Sequence, residues 1–521
     1  STSLHRRARC SRFAQGGHGP ENTSGWDTGG VSESKRPPRS RTPQSKAFQK
    51  FMTTGWATPS LPTPSAAPVA RYAATRRAAL MEALPESLAG KILVIPAGQP
   101  ARRANDTDYP YRPHSAFSYL TGWGSSTTPG SVLVIDSSDG SATLYLRGPA
   151  PRDSDEFYAN PAIGEFWTGP RPSVDDVGAL LGLATKELAR WSGVSDGELS
   201  RTVVLPEADD HLSWEVGARR AALDTADELA SADQDLARVL AEERFVKDDY
   251  EVAELREAIA STHRGFDDIV DAIPEAVGTP RSERLIEGVF ATRARLEGND
   301  VGYGTIAAAG SHACTLHWVS NDGTLEPGEL LLVDAGVERD SLYTADITRT
   351  FPVSGTFTAI QREVYDAVLE AADAALAAVK PGVPFRTLHD EAMGVIARHT
   401  AKWGLLPGTA EESLDPEAGW HRRFMIHGTG HHLGLDVHDC QQARREVYTD
   451  QELRPGMVFT IEPGLYFQPD DETVPDHLRG IGIRIEDNIL VTDTGAEVLS
   501  AAIPRSADEV EAWMAAAGKK S

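Results

Sequence analysis

Cysteine is scarce, with only Cys10, Cys314 and Cys440 in 521 residues. That is too few for a disulfide framework or a cysteine zinc site, and it fits a reducing compartment where oxygen and imidazole hold any metal. We therefore expect a cytoplasmic protein. Long hydrophobic runs are missing too. The longest apolar strings, such as 330–333, are strand-sized and fall far short of the roughly 18 residues of a membrane span. Positive charge is outweighed: 51 Lys+Arg face 76 Asp+Glu, a formal charge of −25. A surface of that sign repels phosphate backbones and anionic lipid, so no nucleic-acid or membrane partner is expected. The 40% hydrophobic residues are ordinary for a globular chain, and the length leaves room for two or three domains.

The charge is unevenly spread. Residues 1–50 hold ten Lys+Arg against three Asp+Glu, within a stretch rich in Ser, Gly, Pro and Arg that shows no apolar periodicity. Residues 1–68 therefore read as a disordered basic tail or as sequence upstream of a start at Met52, with an organelle transit peptide as the alternative. No apolar core of a secretory signal is present. Folded sequence starts near Arg71, with helical spacing over 71–89 and a strand at 91–96. The segments SVLVID (131–136) and ATLYLR (142–147) predict a hairpin around Ser-Ser-Asp-Gly. A single charge-studded helix is expected over 213–240. Together these make a mixed α/β domain over 69–243. A second domain, 244–510, opens with helices at 249–272 and 281–297 separated by Gly-Thr-Pro. Strands follow to 353, then helices at 358–379 and 384–403, then Gly-punctuated strands to 498. Two helices followed by strands occur twice, a weak internal similarity.

Chemistry concentrates in that second domain. In ELLLVDAGVERDSLYTADITRTFP (329–352), one apolar strand ends at Asp334 and a second contains Asp346. A hairpin centred on Asp340 would set the two carboxylates opposite each other, roughly 4.5–5.5 Å apart at Cβ. Like charges are tolerable there when a hard cation sits between them. The alternative is one Asp capping a turn and the other solvated. HGTGHHLGLDVHD (427–439) packs four of the fifteen histidines into twelve residues. His427 and His431 have i, i+4 spacing, but the interleaved glycines argue for an extended loop over a helix. Spacing alone leaves open which imidazole binds metal, which holds substrate and which is a satisfied core group. MVFTIEPG ends a strand at Glu462. GIGIRIEDN alternates so that Arg484 and Glu486 share a face, where the cation could keep the carboxylate charged. Two Asp, two Glu and a histidine cluster supply ligands for two divalent ions.

The segments ADITRTFPV, HGTGHHLGLDVHD, EPGLY and GIGIRIED, with NDTDYPYRPHSAFSYLTG at 105–122, resemble the aminopeptidase P (Xaa-Pro aminopeptidase) branch of the pita-bread metallopeptidases. The resemblance spans about 71–505. It implies an α+β chain, a C-terminal pita-bread catalytic domain behind a smaller α/β creatinase-like N-terminal domain. It also implies Asp334, Asp346, His431, Glu462 and Glu486 as metal ligands, with Asp346 and Glu486 bridging two divalent ions, most often Mn2+. His427 and His438 would contact substrate and transition state, His317 would be a further active-site histidine, and Arg484 and Thr348 would support the ligands. The implied reaction is hydrolysis of the first peptide bond of a peptide with proline second, by a hydroxide between the ions, with Glu462 moving the proton. A prolidase restricted to Xaa-Pro dipeptides is the alternative. Relatives are often dimers or tetramers, so a homo-oligomer is implied, with Trp123 and 105–112 as candidates for the cleft edge. Eleven residues separate Asp334 from Asp346, one more than the family pattern, and the extra one is assigned to the turn near Asp340.

Overall fold

The computed structural model describes residues 45–57, 64–105 and 107–517. One compact unit draws on Ser1–Thr58 and Ala150–Gly169, the other on Pro59–Pro149 and Pro170–Ser521. In the first, α1 (Lys46–Met52) corrects the expectation of a featureless tail over 1–68. Ser45 Oγ caps this helix by accepting the Phe48 N–H at 3.2 Å. Aromatic contacts account for its order: Phe48 meets Tyr158 edge-on at 5.7 Å, and Trp56 meets Phe157 at 5.2 Å. A single seven-residue helix is too short for these partners to register as periodicity. Residues 1–44 and 58–63 of the expected tail lie outside the described residues.

The second unit opens with α2 (Val69–Ala83) and a five-stranded sheet. Its strands are β1 (Ile92–Pro96), β2 (Val132–Asp136), β3 (Ser141–Leu146), β4 (Ala184–Glu187) and β5 (Thr202–Val204), in the order β4-β3-β2-β1-β5. The continuous apolar run of β1 suits a central strand covered on both faces. The expected β2–β3 hairpin is present, with Asp136 paired to Ser141. Helix α3 (Ser115–Thr121) lies against β1 and ends at Gly122 in the left-handed region. The helix expected over 213–240 is two, α4 (Asp210–Arg220) and α5 (Ala226–Glu242). The buried Arg220 dictates the break. It reaches Asp233 at 2.5 Å and donates to Thr202 O at 2.5 Å. On one straight helix, residues thirteen apart stand about 20 Å from each other.

Beyond Asp248, whose side chain caps α6 (Asp249–Ala276), comes α7 (Ser282–Glu297). An antiparallel sheet of β6 (Ile306–Ala309), β7 (Leu330–Ala335) and β8 (Ile347–Pro352) follows, ordered β8-β7-β6. The order then recurs: α8 (Ala359–Ala378) and α9 (Arg386–Lys402) precede β9 (Val458–Ile461), β10 (Gly464–Tyr466), β11 (Gly482–Arg484) and β12 (Asp487–Val491). The repeated helix-pair-then-strands pattern is thus present in the fold. Alternation sorts each strand by face. Leu331, Val333, Ile347 and Phe351 join the buried cluster under the helices with Phe266, Phe290 and Phe459. Asp334, Thr348 and Thr350 take the opposite face. Among the described residues no helix is long and apolar enough to cross a membrane.

Candidate metal centre

Register brings the acids together, though not as expected. Asp334 pairs with Thr348, not with Asp346. The same register continues through the bridge between Glu338 and Thr344, so the turn is centred one residue later, on Ser341 rather than on Asp340 midway between the acids. Arg339 N–H donates to Tyr343 O at 2.9 Å, leaving Asp340, Ser341 and Leu342 as the loop. Leu342 takes the left-handed conformation (φ 73°). Ser125 N–H holds the tip of this loop by donating to Asp340 O at 2.8 Å. An even offset keeps the face, so Asp346 lies diagonal to Asp334 and both still point the same way. The Tyr303 hydroxyl meets Asp334 Oδ1 at 2.6 Å and Asp346 Oδ1 at 2.5 Å.

The second pair of acids arises at a break in one long ladder. β9 pairs with β12 and β10 with β11 in the same register. Glu462, after β9, therefore faces Glu486, before β12. A strand-like segment carrying His431 lies along β9: Thr460 N–H donates to His431 O at 2.9 Å and Glu462 N–H to Thr429 O at 2.8 Å. The close approach excludes a side chain at position 430, where a Cβ would stand 2.0 Å from Thr460 O. The loop expected from the glycines is correct, and it carries His431 into the acids. His431 Nε2 is 3.2 Å from Asp346 Oδ2 and 3.5 Å from Glu462 Oε1.

Ligand atoms of Asp346, His431 and Glu486 lie within 4.8 Å of one another. Asp334 and Glu462 flank this trio. Arg484 braces one side: its Nη2 reaches Asp334 Oδ2 at 2.6 Å, its Nε donates to Thr348 Oγ1 at 3.0 Å and its Nη1 to Tyr466 Oη at 3.1 Å. Thr348 Oγ1 donates in turn to Glu486 Oε2 at 2.7 Å. The other oxygen of Glu486 is buried without a hydrogen-bond partner. An orphaned carboxylate oxygen among three more carboxylates is what a divalent cation would satisfy, so the residues fit a metal of the oxygen-preferring class.

Electrostatics agree. Burial and the neighbouring carboxylates push the Glu486 carboxyl well above its ordinary range. Burial raises Glu462 to about 7 despite His431 beside it. Burial disfavours a charged His431, yet the hydrogen bond to Asp346 and the charge of Glu462 outweigh it and lift the imidazole to about 9. His427 goes the other way, to about 3, because it is buried and faces Arg484. Its Nε2 is 2.8 Å from Tyr466 Oη. His438 stands edge-on to His431, ring centroids 4.3 Å apart, and partial desolvation beside that cation lowers it, although the side chain still reaches solvent. His317 occupies an exposed turn after the short helix Gly310–Cys314.

Tyr303, Tyr466 and Asn488 escaped the sequence reading. Asn488 Nδ2 donates to Asp346 O at 2.6 Å and Oδ1 accepts the Asp346 N–H at 3.3 Å. The alternation that singled out Arg484 on β11 would also have found Tyr466 on β10, but nothing local marks Tyr303. Trp123 is no cleft-edge residue. It is buried in the N-terminal core and donates to Ser126 Oγ at 3.1 Å.

Residues 73–196 match the aminopeptidase P N-terminal domain and residues 253–493 match metallopeptidase family M24. Xaa-Pro aminopeptidase 1 of Streptomyces coelicolor is 47% identical over 466 residues, covering 89% of this chain and 91% of the relative. The chain belongs to the aminopeptidase P family. The Xaa-Pro aminopeptidase of Escherichia coli is 35% identical over 85% of this chain and 98% of its own. Among solved structures, aminopeptidase PepP of Pseudomonas aeruginosa superposes with a TM-score of 0.74 at 30% identity, covering 88% of this chain and all of that one. A zinc-substituted E. coli aminopeptidase P with bound product gives 0.73 at 31% identity, over 87% and 99%. The chain is thus a metallopeptidase of the aminopeptidase P type, with the expected α+β architecture of a small N-terminal domain before a pita-bread domain. These relatives carry aminopeptidase names, which favours that reading over a dipeptide-restricted prolidase.

Proposed function

We propose that this chain releases the first residue of peptides with proline second, through two divalent ions, Mn2+ foremost. Asp334, Asp346, His431, Glu462 and Glu486 would hold them. The observation that carries the reading is the convergence of four carboxylates and His431 around the unpartnered oxygen of Glu486. Ions bound there supply Lewis acidity, acidifying water and polarising a carbonyl. Glu462, beside the ions, accepts the proton of the attacking water and returns it to the leaving nitrogen. His317 and His438 offer N–H donors to the carbonyl oxygen as it gains charge, and His427, fixed by Tyr466, contacts the substrate beside them. Arg484 and Thr348 keep Asp334 and Glu486 aimed inward. Proline second in the chain removes an N–H and fixes φ, so an extended-strand peptidase cannot grip it, and a site built on the free amine and carbonyl can. In this reading the domain at 69–243 braces the one at 244–510, the protein acts in the cytoplasm, and it assembles as a dimer or tetramer.

The test is hydrolysis of an Xaa-Pro-Yaa tripeptide and of the matching Xaa-Pro dipeptide by metal-stripped protein, with and without Mn2+. Metal-dependent release of the first residue from the tripeptide is expected. Cleavage of the dipeptide alone would make the chain a prolidase, and cleavage of neither would overturn the reading.

A further inference from the structure

Residues 433–438 leave the strand-like segment as a loop and come straight back. Asp439 N–H donates to His432 O at 2.9 Å and closes its neck. The neck is bolted by buried charge. Asp439, 1% exposed, meets Arg244 Nε at 3.1 Å through one oxygen and Lys247 Nζ at 2.9 Å through the other. Position 434 must be glycine, since a Cβ would stand 2.2 Å from Asp439 Oδ2. The crown is held from the N-terminal domain, 324 residues away in sequence. Arg112 Nη2 donates to Leu435 O at 2.5 Å, and Ser115 Oγ donates to Asp436 Oδ1 at 2.5 Å. Arg112 is itself anchored, through Nε, on Glu338 Oε2 at 2.6 Å. His438 is the last residue of this loop. Its side chain is exposed, so its place beside His431 rests on the backbone that the two clamps define.

We infer that Arg112, assisted by Ser115, is a positioning residue for His438, so that the N-terminal domain takes part in the reaction without touching the reacting atoms. The inference rests on the role given to His438 above. An imidazole at the end of an unpinned loop loses the near-attack geometry, and a displacement of about 1 Å costs on the order of 10²-fold in rate.

The experiment measures kcat and KM for an Xaa-Pro-Yaa tripeptide with the Mn2+-loaded full chain, alongside its metal content. Arg112→Ala is expected to lower kcat on the order of 10²-fold with KM within about twofold and bound metal unchanged. Ser115→Ala, a milder change that leaves the fold intact, shifts kcat the same way by less. In a His438→Ala background, Arg112→Ala adds no further loss, because the residue it positions is gone. The same loss in both backgrounds, or loss of metal, means a merely structural role and overturns the inference while leaving the functional reading intact. A His438→Ala enzyme with wild-type kcat overturns the role of His438 and this inference with it.

Discussion

Glu462→Gln in the metal-free protein separates the electrostatic cost of the site from its chemistry. Burial and Asp346 raise the Glu462 carboxyl from 4.5 to about 7 in the folded chain. A group whose acid form is favoured by folding leaves its penalty absent below the unfolded value and complete above the folded one. The shift corresponds to about 3 kcal/mol of lost stability once both states are ionised. At pH 8 the stripped Glu462→Gln variant should therefore be more stable than the stripped parent by about 3 kcal/mol, or on the order of 3 °C in Tm for a chain of this length. At pH 5 the advantage should shrink to about 1 kcal/mol. Histidines such as His427 and His432, held near 3 by burial, push stability the opposite way below their unfolded pKa. They are common to both proteins and cancel in the difference. Added Mn2+ should reverse the order, since only the parent keeps its full ligand set. Urea unfolding of both proteins at the two pH values measures this. An advantage equal at pH 5 and 8, or a less stable variant at pH 8, would refute the crowded-carboxylate account.

Three further outcomes follow from the same geometry. Tyr303→Phe removes the hydroxyl shared by Asp334 and Asp346, and metal affinity by competition titration should fall about 10- to 100-fold with Tm of the loaded protein lowered; unchanged affinity would exclude a supporting role. Arg484→Lys keeps the charge but cannot serve Asp334, Thr348 and Tyr466 together, so kcat/KM should drop by at least about tenfold, and wild-type kinetics would show that charge alone suffices. Arg220→Ala strands Asp233 in a largely buried position and should cost about 3 kcal/mol in urea unfolding, with metal content and KM of the surviving fold unaltered.

Particular residues show what was legible in the sequence. The β2–β3 hairpin announced itself because Ser-Ser-Asp-Gly sits between two alternating runs, a purely local signal. Glu462 and Glu486 were legible because each follows an apolar strand, and Arg484 because alternation put it on the face of Glu486. The break between α4 and α5 was not, because periodicity runs through 221–225 and only the distant Asp233 and Thr202 require a turn. Tyr303 was invisible for the same reason: its partners lie 31 and 43 residues away.

The chain by itself determined which groups are available: acids at strand ends, a glycine-spaced histidine run, an acidic surface and little cysteine. These are consequences of residue type and of short periods that a backbone must obey. Tertiary structure decided how they meet. The two-residue register offset that sets Asp346 diagonal to Asp334, the ladder break that faces Glu462 with Glu486, and the reach of Arg112 to the loop of His438 all join residues distant in sequence. Each depends on strand register and on the packing of one domain against another, quantities that no local window contains.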